Sequence, residues 1–139
     1  MDDCIFCKIV KGDLPCFKVY EDDTSLAFED INPVTKGHTL IVPKIHAENL
    51  WDIPPEYLTG VHLTSQKVIK AIKEVLKPSG VVAIQLNGRG VNQVVMHFHL
   101  HLIPREEGAP PLPMTTWELG ESDMERIKNI GEKIARAIK

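Results

Sequence analysis

The sequence has few cysteines and no long apolar run, and both features bear on the compartment of the protein. Its three cysteines are an odd number, which argues against a disulfide framework and favours a reducing compartment. No apolar run is long enough to cross a bilayer, and the start, MDDCIFCKIV, is acidic, whereas the start of a signal peptide is basic. We therefore predict a cytoplasmic protein.

A large excess of one charge is also missing. The net charge of −3 gives no general attraction to nucleic acid or to an anionic membrane, so we expect neither as a partner. The 139 residues are 43% hydrophobic and 25% charged, which is ordinary for a globular chain with a sizeable core. We predict a single domain over residues 1–139.

The hydrophobic periodicity predicts a mixed structure. Strands are expected within 18–30 (two around a turn) and at 38–43, 81–87 and 93–103. Apolar residues at steps of three and four predict a long helix from Pro55 to Lys77. The capping-box pattern SDME at 122–125 opens a final helix through Ile127, Ile130, Ile134 and Ile138. Because strands and helices do not alternate strictly, an α+β fold with an antiparallel sheet is favoured over a doubly wound one.

Three of the six histidines fall within HFHLHL, at residues 97 to 102. On a strand His97, His99 and His101 would form one polar row, while the alternating apolar residues would face a core. A solvated face is the simplest interpretation of such a row. Solvated faces usually draw on Thr, Lys and Glu, however, whereas histidine suits metal ligation and proton or group transfer near neutral pH.

A Cys-x-x-Cys motif at Cys4 and Cys7 is the second candidate for chemistry. In a reducing compartment it is either redox-active or half of a metal site. Gly12 and Pro15 follow too soon for the long helix of a thioredoxin-like motif. Two thiolates need two more ligands for tetrahedral zinc, and the available histidines are His38, His46, His62 and the row of three.

The segment NGRGVNQ at 87–93 leads directly into the histidine row. Its glycines allow close backbone approach to a ligand, and its amides can donate to phosphate oxygens. A simple hairpin turn through Asn-Gly explains the same letters, and the two interpretations are compatible. Without a serine-nucleophile motif, histidine is the best nucleophile in the chain, provided that its second ring nitrogen donates to a fixed acceptor.

These motifs together resemble the histidine-triad nucleotide-binding family. QVVMHFHLHLIPR at 93–105 is similar to the family signature, in which three histidines alternate with apolar residues. CIFCKIVKGDLP at 4–15 and the stretch 19–46 are also similar to members, so the resemblance covers about residues 4–105, and 106–139 adds nothing. It implies an antiparallel sheet with a long central helix and a C-terminal helix, usually as a homodimer.

The resemblance also implies a reaction and a set of residues. Members bind purine nucleotides and hydrolyse or transfer nucleoside monophosphate groups, here expected to be AMP, through a nucleotidyl-histidine intermediate. The middle histidine, His99, is the implied nucleophile. The implied catalytic set is completed by His101, His38 and Gln93. The implied nucleotide contacts are Asn87 at the phosphate, Asp30 at the ribose, and Ile5, Phe6, Ile9, Phe28 and Ile31 around the base.

A subset of the family, together with the related galactose-1-phosphate uridylyltransferases, carries structural zinc. The matching ligands are Cys4, Cys7, His46 and His97. Under this interpretation His97 holds metal, while His99 and His101 act on phosphate. One departure from the family pattern is Asn92, which stands where glycine is usual and puts the geometry of the phosphate loop in question.

Three functions remain open from the sequence. The first is a hydrolase of nucleoside phosphoramidates or adenylyl conjugates. The second is a dinucleoside polyphosphate hydrolase, which would use the same nucleophile with a different leaving group. The third is a nucleotide-binding regulatory module whose turnover is incidental.

Overall fold

The computed structural model describes residues 3–139. The chain divides into two units, Met1–Ala109 and Pro110–Lys139, and each is described by itself. The single domain over 1–139 therefore stays a prediction. No helix among the described residues is long and apolar enough to cross a membrane.

A five-stranded antiparallel sheet with the strand order β1-β2-β3-β5-β4 forms the centre of the first unit. The strands are β1 (Lys18–Glu21), β2 (Ser25–Glu29), β3 (Thr39–Pro43), β4 (Gly80–Gln85) and β5 (Leu100–Arg105), and the helices are α1 (Ile5–Lys11) and α2 (Pro55–Leu76). The predicted α+β class and the antiparallel sheet are confirmed. The predicted long helix is α2, which ends where Lys77 takes a left-handed conformation.

Each face of the sheet carries its own apolar cluster. Alternate residues of a strand point to opposite faces, so β5 sends Leu100 and Leu102 into a cluster with Val61 and Val68 of α2. The opposite face holds a second cluster that includes Phe6 of α1 and Phe28 of β2. The central strands β2 and β3 are buried on both faces. The histidines lie on the face of the sheet that carries α1, whereas α2 packs against the opposite face.

The predicted strand over 93–103 is wrong in its first half, because β5 begins only at Leu100. The backbone before it makes hydrogen bonds outside a ladder. Val95 O accepts from the Gln93 side chain at 3.1 Å, and Phe98 N donates to Ala47 O at 2.7 Å. His97 O accepts from the ring of His99. His97 and His99 thus lie in an irregular segment that keeps the alternation of a strand without its pairing.

Strand β4 covers most of the strand predicted at 81–87. In the single chain its residues 80–85 are half-buried or exposed, and it lies at the edge of the sheet. Along the described chain β4 pairs with β5 alone, so its other edge offers backbone groups for pairing.

The second unit contains a short 3-10 helix at Pro113–Thr115 and the α-helix α3 (Met124–Ala137). Its N-cap is Asp123, whose side chain accepts from Arg126 N at 3.1 Å, so the cap lies one residue later than the SDME pattern predicts. Ile127, Ile130 and Ile134 are all more than half exposed. Ile138 follows the helix as its C-cap.

Candidate active site and metal cluster

Cys4, Cys7, His46 and His97 form one cluster, although they come from three separate parts of the chain. One ligand atom from each lies within 4.8 Å of the others. The His97 Nδ1 atom is 3.4 Å from Cys4 Sγ and 3.5 Å from Cys7 Sγ, and His46 Nδ1 is 3.3 Å from Cys7 Sγ. Helix α1 brings the cysteines together, since Cys4 caps it and Cys7 lies in its first turn.

The donor set of this cluster fits a tetrahedral zinc ion. Zinc bonds of about 2.3 Å to sulfur and 2.0–2.1 Å to nitrogen place those atoms about 3.6 Å apart, close to the separations found. Nε2 of His97 donates to Pro43 O at 3.0 Å, which leaves Nδ1 as the free ligand atom. Burial lowers the pKa of His97 to about 4, so its imidazole is neutral, as ligation requires.

The next histidine of the row, His99, has its ring set by a backbone carbonyl. Its Nδ1 lies 2.7 Å from His97 O. Because a carbonyl only accepts, Nδ1 carries the proton and Nε2 keeps a lone pair. Burial lowers the pKa of His99, which keeps the ring neutral near pH 7. A neutral imidazole with one fixed nitrogen and one available nitrogen is the form in which histidine acts as a nucleophile.

His38 and His101 form a directed hydrogen-bond chain beside His99. Val34 N donates to His38 Nδ1 at 3.0 Å, so the proton of neutral His38 is on Nε2. That Nε2 lies 2.9 Å from His101 Nδ1, which must accept. The proton of neutral His101 is therefore on its own Nε2. Burial lowers the pKa of His38 and brings that of His101 to about 4, consistent with two neutral rings.

Asp30 adds a carboxylate to this pair. Its Oδ2 lies 3.6 Å from His38 Nε2, and its Oδ1 accepts from Asn32 N at 2.8 Å. Asp30, His38 and His101 are close enough to share a metal. The amide of Val34 opposes that use, because a metal on His38 Nε2 would force the ring proton onto Nδ1, against another N–H. The three residues are better suited to hydrogen bonding.

The loop between β4 and the histidines is held by two side-chain amides. The side-chain oxygen of Asn87 accepts from Leu50 N at 2.8 Å and from Gln85 Nε2 at 2.7 Å, which leaves its NH₂ group for a ligand. Gln93 is buried, accepts from Gly88 N at 2.7 Å and donates to Glu48 O and Val95 O. Both NH₂ hydrogens of Gln93 are used, so in this conformation it shapes the loop.

The backbone conformation at Asn92 explains why glycine is usual at this position. Its φ of 69° and ψ of 31° are left-handed. Glycine enters this region freely, and asparagine tolerates it better than other residues with side chains. Asn92, which is exposed, thus adopts a conformation that glycine also enters.

The five apolar residues matched to a base cleft divide by exposure. Phe6 and Phe28 are buried and make an edge-to-face contact, with ring centroids 5.7 Å apart. Ile9 is half-buried, whereas Ile5 and Ile31 are exposed. Phe6 thus packs in the core against His97 and His99, with Phe28 beside it, and Ile5 and Ile31 are the members open to a ligand.

Comparison with known proteins identifies the family. The HIT domain model matches residues 11–108 of this chain. The chain belongs to the histidine-triad family. An adenosine 5'-monophosphoramidase of Schizosaccharomyces pombe is 42% identical over 136 residues, which cover 98% of each chain.

Solved structures of histidine-triad proteins have the same fold. A HIT family protein from Bacillus anthracis superposes with a TM-score of 0.92 at 41% identity, covering 99% of both chains. A zinc-bound histidine-triad protein from Mycobacterium smegmatis superposes with a TM-score of 0.76 at 33% identity, also over 99% of both chains.

Several contacts of this histidine-triad site could not be predicted from the sequence. Val34 N, Pro43 O and Leu50 N all contribute backbone atoms, and any residue type supplies such atoms. Gln85 is the one side chain in this group, and a glutamine ending a strand has no distinctive pattern. Only the fold shows which histidine nitrogen each contact occupies.

The left-handed conformation of Asn92 leads to a prediction. Asn92→Gly should leave the free energy of unfolding within about 0.5 kcal/mol of the wild type, while Asn92→Val should lower it by about 1–2 kcal/mol, because a β-branched residue is strained there. Urea denaturation measures both variants. A Val91→Ala variant controls for loss of an exposed side chain in the same loop. Equal stability of Asn92→Val and wild type would contradict the assigned conformation.

Proposed function

We propose that this histidine-triad protein is a hydrolase that releases AMP from an amine or phosphate leaving group, with His99 as nucleophile. The observation that carries the proposal is the contact between His99 Nδ1 and His97 O at 2.7 Å. It selects the tautomer with a lone pair on Nε2, which attack on phosphorus requires. The name of the S. pombe relative, an adenosine 5'-monophosphoramidase, supports the choice of an adenylyl phosphoramidate as substrate.

The groups around His99 suit a phosphoryl group. His101 carries its proton on Nε2 and can donate to a non-bridging oxygen, and the NH₂ of Asn87 can donate to another. The rings of His99 and His101 have centroids 4.8 Å apart, which brings the nucleophile and this donor to one group. Donors already in place stabilise the charge that develops on these oxygens.

The reaction follows from these positions. Nε2 of His99 attacks phosphorus, the leaving group departs with the electron pair of its bond to phosphorus and takes up a proton from solvent, and the nucleotide is held on His99 through a new P–N bond. Water then attacks phosphorus from the side that the leaving group vacated and loses a proton to solvent, while the P–N bond breaks, which releases AMP and restores the neutral ring. The His97 carbonyl holds Nδ1–H throughout and stabilises the positive charge that the ring acquires. We assign to Asp30, whose Oδ2 lies 3.6 Å from His38 Nε2, the role of accepting from ribose hydroxyls.

His99→Ala should abolish turnover while sparing nucleotide binding, since Asp30, Asn87 and the exposed isoleucines remain. We expect the single-turnover rate on adenosine phosphoramidate to fall at least about 100-fold, or about 2.7 kcal/mol at 1.36 kcal/mol per tenfold. His101→Ala should cost less, because it removes a donor rather than the nucleophile. Rapid-quench kinetics measure the rates, and calorimetry measures AMP binding.

His62→Ala is the matched control, because His62 is an exposed histidine of α2 outside the site. It should retain the wild-type rate. If His99→Ala keeps more than about one per cent of that rate, the middle histidine is not the nucleophile. Parallel assays with diadenosine tetraphosphate distinguish a phosphoramidate hydrolase from a polyphosphate hydrolase. Binding without turnover of either substrate would indicate a regulatory module.

We further propose that Cys4, Cys7, His46 and His97 hold one structural zinc ion. The distances among their ligand atoms and the zinc-bound M. smegmatis neighbour support this. Four protein ligands leave no position for water or substrate, so the ion's chemistry there is to cross-link α1, the segment after β3 and the histidine segment. Burial and the neighbouring Cys4 raise the pKa of the Cys7 thiol, so a thiolate pair needs a cation to stabilise it.

Protein purified without chelator should contain close to one zinc per chain. Chelation should lower the melting temperature by about 10 °C or more, because the cross-link contributes to folding. Elemental analysis and calorimetry make the two measurements. A zinc content below about a tenth of an ion per chain, in protein shown to be reduced, would rule the site out.

The free edge of β4 supports a homodimer, which we propose as the assembly of this protein. The strand is half-buried and apolar, and antiparallel pairing of two such edges would satisfy their backbone groups. Sedimentation at micromolar concentration should give twice the mass of the chain. Ala83→Lys, which places a charge at an exposed position of this strand, should shift the equilibrium toward monomer. A monomeric wild type would contradict the proposal without affecting the chemistry of His99.

A further inference from the structure

His97 belongs to two sites at once. Its ring is held at both nitrogens, with Nδ1 at 3.4 Å from Cys4 Sγ and Nε2 donating to Pro43 O at 3.0 Å. Its carbonyl, on the same residue, accepts from His99 Nδ1 at 2.7 Å. A clamp on the ring of His97 therefore limits movement of the carbonyl that selects the tautomer of His99.

Phe6 makes a second connection between the same two sites. It lies between Cys4 and Cys7 on α1, and it is buried. Its ring meets His99 edge-to-face, with centroids 5.2 Å apart and planes at 78°, and it meets His97 at 5.8 Å and 82°. Such contacts restrict the rotation of both imidazoles.

Helix α1 depends on the cluster for its place. At seven residues it is far too short to be stable alone, so packing and the cysteines must hold it. The contact between Cys7 and His46 is thus one of the tethers of α1, the helix that carries Phe6. The irregular segment before β5 has no ladder to hold His97 in compensation.

We propose that the Cys/His cluster positions the nucleophile, acting on His99 through the carbonyl of His97 and the ring of Phe6. Cys4, Cys7 and His46 are then positioning residues for the reaction as well as metal ligands. The expected effect on the reaction rate rests on the proposed function. The ring geometry of His99 can be tested independently of any turnover.

The experiment compares Cys7→Ser and His46→Gln with Cys16→Ser, a half-buried cysteine outside the cluster that packs against the same apolar cluster as Phe6. Four quantities are measured on the full chain: zinc content, AMP affinity, the single-turnover rate on adenosine phosphoramidate, and the His99 tautomer. Long-range proton–nitrogen NMR spectra report the tautomer, with the His99 signals assigned by substitution. Circular dichroism confirms that each variant is folded.

Both cluster variants should lose zinc and show a mixture of His99 tautomers. Their single-turnover rate should fall at least about tenfold, since small misplacements of reacting groups have large effects on rate. Their affinity for AMP should stay within about threefold of the wild type, which a general loss of structure would not allow. Zinc restored to chelated wild-type protein should recover the rate and the single tautomer together, and Cys16→Ser should behave as wild type.

Two outcomes would overturn the inference. One is a folded cluster variant without zinc that keeps the wild-type tautomer. The other is a loss of AMP affinity in proportion to the loss of rate, which indicates general disruption. If the wild type itself does not turn over the phosphoramidate, the proposed function fails, while the tautomer comparison still decides the positioning role. If either cluster variant is unfolded, chelation and zinc return on the wild type give the same decision.

Discussion

The hydrogen bond from His99 Nδ1 to the carbonyl of His97 is the constraint on which the site depends. It requires that the backbone at His97 be free of sheet pairing, because a carbonyl in a ladder would point to the neighbouring strand. The chain meets this requirement by starting β5 only at Leu100. The unpaired backbone before β5 instead makes hydrogen bonds with Ala47 O and with the Gln93 side chain.

The three histidines of the row differ in their hydrogen-bond partners because of this arrangement. His97 turns its ring toward the cysteines and its carbonyl toward His99. His101, the second residue of β5, makes a hydrogen bond with His38, which lies immediately before β3. Three chemically identical side chains thus differ because one ring nitrogen of each has a different partner: Pro43 O for His97, His97 O for His99 and the His38 ring for His101. A row of histidines on a fully paired strand would lack the carbonyl that distinguishes the middle one.

Much of this was predictable from the sequence, and the failures have a common cause. The alternation of Phe98, Leu100 and Leu102 indicated which side of the segment faces the core, and periodicity located α2. The resemblance brought together Cys4, Cys7, His46 and His97, which the structure places in one cluster. Periodicity reports where side chains point, however, and carries no information on whether the backbone is paired. The early start expected for the histidine strand is an error of that kind.

Gln93 and Phe6 show a second limit. The resemblance implied a catalytic role for Gln93 and a contact with the base for Phe6, but the residue types alone could not show that Gln93 bonds to Gly88 N and Glu48 O or that Phe6 is buried against His99. The sequence does not distinguish a buried glutamine from an exposed one. Only the positions of Gly88 N and Glu48 O show that its amide is already fully used.

The central claim is that the reaction proceeds by two displacements at phosphorus, with the nucleotide held on His99 between them. The most direct measurement is the stereochemical course with a phosphoramidate analogue made chiral at phosphorus by sulfur substitution and hydrolysed in isotopically labelled water. Two in-line displacements predict net retention of configuration. Net inversion would show that water attacks the substrate directly, and His99 would then have to act on water instead of on phosphorus.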